Sequence, residues 1–162
     1  MVFLQAFINS IKLPNKKAIF QLNRIGMDIT VVYMFLFLFL ASLPSLVDQI
    51  TSTGGLGDEM NLVLKFIYFF IFYYLPLVII FFMLLSVMAY LGTLIAKMLG
   101  RKLRFSILWK MSAYTTTLPL LLYTALAFFV PIHDLYLVLA ALFTIGLLGR
   151  VITVYPKRRK RR

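Results

Sequence analysis

The chain has no cysteine, which excludes disulfides, thiolate metal sites and a cysteine nucleophile. It has a single histidine, His133, so no pair of imidazoles exists to hold zinc. Acids are scarce. Asp28, Asp48, Asp58, Glu59 and Asp134 face seventeen lysines and arginines, for a net charge of +12 over 162 residues. Charged residues make up only 14% of the chain, where a soluble domain carries about a quarter. What fills the space is apolar: 62% of the residues are hydrophobic and 16% aromatic, with a mean hydropathy of +0.96. Uncharged runs long enough to cross a bilayer recur along the sequence, which predicts a polytopic membrane protein. The basic excess is then a matter of membrane orientation, and no nucleic-acid partner is expected. Met1–Leu13 does not read as a cleavable signal, because its one lysine stands at the far end and no small-residue cleavage site follows a short apolar core.

The stretch FSILWKMSAYTTTLPLLLYTALAFFVP, residues 105–131, is the one the rest is organised around. Met111–Val130 carries no charge, and at about 1.5 Å per residue it spans the roughly 30 Å hydrocarbon core. It also holds the densest polar patch of the chain: Ser112, Tyr114, Thr115, Thr116 and Thr117, followed by Pro119. Crossing lipid requires none of these.

Taken in order, residues 1–28 form an N-terminal amphipathic and basic segment. Phe3, Leu4, Phe7, Ile8 and Ile11 fall on one helical face, with Gln5, Asn9 and Lys12 away from it, as in a helix lying in the membrane interface. A tail packed on the bundle is the alternative. Pro14-Asn15 breaks this helix, Lys16, Lys17 and Arg24 add charge, and Asp28 stands four residues after Arg24. Residues 29–154 form a four-helix transmembrane domain, with spans at about 29–47, 66–96, 111–130 and 135–154. The loop 48–61 contains Gly54, Gly55, Gly57, Asp58 and Glu59, too few oxygens for calcium, and reads as a solvated turn. Phe66–Ala96 is uncharged over 31 residues, too long for one perpendicular span and too short for two, which predicts one long helix kinked near Pro76. Residues 155–162 form a basic tail, with Pro156 ending the last helix before KRRKRR.

If both termini and the 97–110 loop are cytoplasmic, every basic residue except Lys65 lies inside, and Asp28 is the one acid that does. Lysine and arginine bias sets topology, so an N-in, C-in multi-pass protein of the cell membrane is expected. No internal repeat of the transporter kind is evident.

The polar residues allow two uses. Pro119 deletes the hydrogen bond to the carbonyl of Thr115, and Thr115, Thr116 and Thr117 are placed to satisfy the freed group. Ser112, Thr116, Pro119 and Tyr123 share one face. That face is either a substrate groove or hinge, or a kinked helix packed by hydroxyl contacts. Ser86, Tyr90 and Thr93, with Gly92 and Ala96 beside them, and Gly146 and Gly149 in the last span, are candidate helix-packing positions. Lys97, Arg101, Lys102 and Arg104 on the loop, and Lys157, Arg158, Arg159, Lys160, Arg161 and Arg162 on the tail, are candidates for anionic lipid headgroups, worth roughly 1 kcal/mol each near the surface. Chemistry is thin. No ionisable group lies mid-membrane, and His133 beside Asp134 lacks a placed nucleophile, so no catalytic residue, metal or cofactor is expected.

Three segments carry a family resemblance. FINSIKLPNKKAIFQLNRIG, FSILWKMSAYTTTLPLLLYTAL and the terminal YPKRRKRR resemble a family of Gram-positive membrane proteins of unknown function, often named after a maltodextrin-utilisation membrane protein and grouped with Yip-like proteins. Members usually carry a sizeable extracytoplasmic segment between the first two spans, here reduced to about fifteen residues. The resemblance implies a membrane bundle and supplies no catalytic residue. The expected function is a small non-enzymatic accessory or scaffold subunit that binds another membrane protein, or itself as a homo-oligomer, or organises anionic lipid. The alternative is a component of a transporter for a lipid-like or neutral solute, with the faces at Ser112–Tyr123 and Ser86–Thr93 lining the path.

Overall fold

The long uncharged runs fold as helices, which satisfy every backbone N–H and C=O from within and so need no water. The computed structural model describes residues 2–51, 61–130, 133 and 135–156, and among these every regular element is helical. The order is α1 (Val2–Ile11), α2 (Lys16–Arg24), α3 (Met27–Thr51), α4 (Leu62–Tyr68), a π-helical segment (Phe69–Tyr74), α5 (Leu75–Met98), α6 (Phe105–Thr115), α7 (Thr117–Ala127) and α8 (Leu135–Val154). The 48–61 loop from Ser52 to Met60, Asp134 and the tail from Lys157 to Arg162 lie outside the described residues.

Among the described residues, three helices are long and apolar enough to cross a membrane: Met27–Thr51, the continuous Leu62–Met98, and Leu135–Val154. The chain is therefore a membrane-embedded, all-helical protein. The expected third span, 111–130, is the exception. Its helix starts six residues earlier, at Phe105, and breaks at Thr116 into α6 and α7, eleven residues each. Pro119 is the physical cause, since it supplies no N–H to the turn before it and its ring crowds that turn.

The second long helix is also irregular, on the N-terminal side of Pro76. The Leu75 N–H donates to the Phe70 carbonyl, five residues back, so the backbone widens into a π segment just ahead of the proline. At its other end α5 stops on a Schellman cap. Gly100, at φ +66°, lets its own N–H reach the Lys97 carbonyl and the Arg101 N–H reach Ala96, both by reversing the chain.

α6 is the hub. Leu108, Trp109 and the run Met111–Thr115 are all buried, because α1, α2, α3, α5 and α8 each pack on it. The broadest of these contacts is with α5, through Leu85, Ala89, Gly92 and Ala96, one residue per helical turn. Gly92 faces both α8 and α6 closely: a Cβ there would lie 2.8 Å from a Leu148 methyl and 3.6 Å from one on Leu108.

α1 turns its small side inward. Ala6 and Ser10 are buried against the bundle, Phe7 packs on Phe37 at 5.7 Å, and Phe3, Leu4, Ile8 and Ile11 point outward. The helix thus docks on the bundle and still presents its apolar face. α2 buries Ala18, Ile19 and Leu22 against the bundle. Because α2 ends at Arg24 and α3 begins at Met27, Arg24 and Asp28 belong to different helices and the i, i+4 geometry suspected for them does not arise.

Candidate functional site: a cavity beside the broken helix

The hydroxyl residues around the break divide their work. Thr115 Oγ1 donates to the Ser112 carbonyl at 2.9 Å and Thr116 Oγ1 to the Ala113 carbonyl at 2.7 Å. They support the end of α6, and not the Thr115 carbonyl that Pro119 leaves free, as the sequence led us to expect. Thr117 reaches away from its own helix and shares a 3.1 Å hydrogen bond with the Tyr33 hydroxyl. One turn earlier Tyr114 shares a 2.8 Å bond with Thr30. Two rungs of a buried polar ladder therefore join α3 to both halves of the broken helix. The ladder was missed in the sequence, although it left a signal there: Thr30 and Tyr33 stand three apart, as do Tyr114 and Thr117.

The other side of the break opens on a cavity of about 450 Å³ between α3, α5, α7 and α8. Its apolar wall includes Leu38, Leu77, Phe81, Leu85, Met88 and Leu120. Thr116, Pro119 and Tyr123, three of the four residues expected to share a groove face, line it. Ser112, the fourth, does not; it is fully buried in the hub, and its Oγ has no hydrogen-bond partner among the described residues.

Polar groups gather at one end of the cavity, where α7 gives way to α8. Tyr136, in the first turn of α8, donates its hydroxyl to the Pro119 carbonyl and lies 5.9 Å from the Tyr123 ring. Tyr73, carried by the π segment, bonds Ser45 at 2.8 Å, and His133 completes the rim. The adjacent Tyr74 donates to the Phe35 carbonyl at 2.9 Å, so the π segment tethers the long helix to α3 at two points. Among the described residues no lysine, arginine, aspartate or glutamate lines the space. A charged molecule entering it would lose its hydration without a counter-ion, whereas an apolar or neutral one would not.

The remaining candidate residues separate. Gly92 and Ala96 are buried at the α5 contact, and Ser86 accepts a 3.2 Å hydrogen bond from Trp109 Nε1 while donating to Phe82. Tyr90 is 60% exposed, and Thr93 bonds back to the Tyr90 carbonyl, so neither joins α5 to a neighbour through its polar group. Gly146 and Gly149 are not packing positions within this chain: a Cβ at either would meet nothing within 4 Å. On the basic loop, Lys97, Lys102 and Arg104 are exposed, and Arg101 is half-buried with its Nε unpartnered among the described residues. Lys157, Arg158, Arg159, Lys160, Arg161 and Arg162 lie outside the described residues.

Lys110 was counted in the sequence only as a topology charge and has a further task. Its ammonium donates to the carbonyls of Asn23 and Ile25 at 2.7 and 2.8 Å, capping the C-terminal end of α2.

Fold and cavity together define a small polytopic helical protein embedded in the membrane, with a chamber between interrupted helices. The chain belongs to the family described as "Protein of unknown function (DUF1189)", which matches residues 49–152 and so takes in the π segment, the hub and all but one helix of the cavity wall. No curated protein and no solved structure matches it.

Proposed function

We propose that the protein is a non-enzymatic integral membrane component that holds a lipid-like or neutral solute in this cavity, as part of a transport or lipid-handling assembly. The observation that carries the proposal is the chamber itself. Its size falls in the ordinary range of small-molecule sites, roughly 300–1,000 Å³, and its walls are apolar with a few convergent polar groups. Interrupted helices flank it on two sides, the π segment on one and the Thr116 break on the other, a backbone arrangement that transporters use to line binding sites. In this proposal there are four spans. α6 and α7 together run for about 34 Å, enough to cross the hydrocarbon despite the break. Both termini and the 97–110 loop are on the cytoplasmic side of a bacterial membrane, a reading supported by the distribution of basic residues. The outward apolar face of α1 then meets inner-leaflet chains, and Lys97, Arg101, Lys102, Arg104 and the KRRKRR tail meet anionic headgroups. The maltodextrin and Yip-like names of the resembling family add no residue to this reading.

A second reading, the accessory or scaffold subunit, is favoured by one observation. Gly146 and Gly149 present small surfaces with open space beside them on an apolar helix, which lets a helix of another membrane protein, or of a second copy, approach closely. The two readings are compatible, since a four-span transport component needs a partner.

The test is occupancy. Native mass spectrometry of the protein released from membrane should show an adduct of one neutral molecule per chain, and Ala141→Phe, which fills the cavity from α8, should lose it. Identical adducts on both proteins would refute the cavity as the binding site.

A further inference from the structure

We infer that the occupant is an uncharged single-chain lipid bearing a hydroxyl or ester head, taken from the outer leaflet and recognised by the hydroxyl of Tyr123. This rests on the cavity reading above and adds the class of molecule, its direction and the group that reads it.

Length argues for one chain from one leaflet. The cavity follows α8 from Tyr136 to Thr144, about 12 Å of helix, and α5 from Leu77 to Met88, about 16 Å. The hydrocarbon half of a roughly 30 Å core is about 15 Å deep. A chain lying along this slot therefore fills a single leaflet's depth and stops near the midplane.

Direction follows from where the polar groups stand. His133, Tyr136 and Tyr73 are at the end where α7 meets α8, the outer side of the N-in, C-in arrangement. A head bound there stays level with outer-leaflet headgroups while its chain points toward Met88 and Thr144.

Hydrogen-bond accounting identifies the reader. Around the chamber, Tyr73 bonds Ser45, Tyr136 donates to the Pro119 carbonyl, Thr116 donates to Ala113 and Thr144 to Ala140. Each of these hydroxyls already has a partner within the protein. Two lining groups have no side-chain partner among the described residues: the imidazole of His133, exposed at the rim, and the hydroxyl of Tyr123, which stands further in with its ring held against Tyr136. The Tyr123 hydroxyl offers both a donor and an acceptor inside the wall, which suits a neutral oxygen. A carboxylate or phosphate would bring a full charge into a wall with no lysine or arginine among the described residues to meet it.

The experiment compares three probes on the purified full chain by native mass spectrometry: 1-oleoylglycerol, oleate at neutral pH, and 1-octadecene. 1-Oleoylglycerol should bind once per chain, at least about tenfold tighter than the others. Tyr123→Phe, which keeps the ring and removes only the hydroxyl, should weaken it about three- to tenfold, the value of one neutral hydrogen bond. Equal or tighter binding of oleate would overturn the neutral head, and equal binding of octadecene would overturn head recognition altogether, while leaving a lipid-binding cavity intact. Unchanged affinity in Tyr123→Phe, with melting unaltered, would remove Tyr123 as the reader. If no probe binds and Ala141→Phe behaves as the parent, the cavity reading itself falls.

Discussion

Replacing Lys110 by methionine keeps most of the side chain's length and apolar stem but removes the ammonium that caps α2. Two charge-assisted hydrogen bonds are lost, to Asn23 and Ile25, each nominally worth about 1.5–3 kcal/mol. The ammonium is only partly buried, so water recovers much of this, and the net loss should be about 2 kcal/mol. That exceeds the cost of an ordinary surface change but stays below what Ile19 and Leu22 contribute, each fully buried and worth about 1.5–3 kcal/mol. The helix should therefore remain docked on average and open more often. Absence of native cysteine makes this measurable. A cysteine at Ala18, 3% exposed in the docked helix, reacts with a thiol reagent only when α2 lifts. A 2 kcal/mol weakening raises the opening equilibrium, and the labelling rate with it, about 30-fold. Lys97→Met, at an exposed position of the same loop, should leave the rate unchanged. A rise of less than about threefold in Lys110→Met would show that apolar contacts alone hold α2, and the capping argument would fail.

Two further outcomes are expected. Gly92→Leu should overpack the junction with Leu108 and Leu148 and cost about 1–3 kcal/mol in detergent melting, whereas Gly146→Leu, with no atom in reach, should stay within about 0.5 kcal/mol of the parent; equal melting of the two would remove the close approach at Gly92. For topology, cysteine substituted at exposed Asn61 should react with an impermeant reagent on intact cells, and cysteine at exposed Ser106 only after permeabilisation; labelling of position 106 on intact cells would overturn the four-span arrangement.

Much of the architecture was legible in the residues because its cause is one-dimensional. Uncharged runs must become helices in lipid, and the runs at 29–47, 66–96 and 135–154 did so, the first two with ends shifted by two to four residues and the last with the ends expected. The importance of Phe105–Pro131 was legible too, since its polar patch and Pro119 conflict with simple lipid crossing. Three of its marked residues, Thr116, Pro119 and Tyr123, meet at the cavity. The faces of the other helices were less legible. Small residues at Gly146 and Gly149 looked like packing positions, but which small residues a neighbour covers depends on where that neighbour runs. Tyr90 followed the spacing of Ser86 and still faces away from the hub, because α5 turns Ala89 and Gly92 toward it, and Thr93 bonds its hydroxyl to its own helix.

The sequence by itself determined that this chain is embedded in a membrane, where its three long apolar helices run and which stretch departs from them. Each of those depends on residues adjacent along the chain: a hydropathy sum over a window, or a proline acting on the turn before it. Only the tertiary structure decided that Thr30 and Tyr33 pair with Tyr114 and Thr117, 84 positions away in both cases, that Lys110 closes the end of α2, and that a chamber opens between α5, α7 and α8. Hydroxyl pairing, capping at a distance and empty volume are properties of surfaces brought together, and no local pattern encodes which surfaces meet.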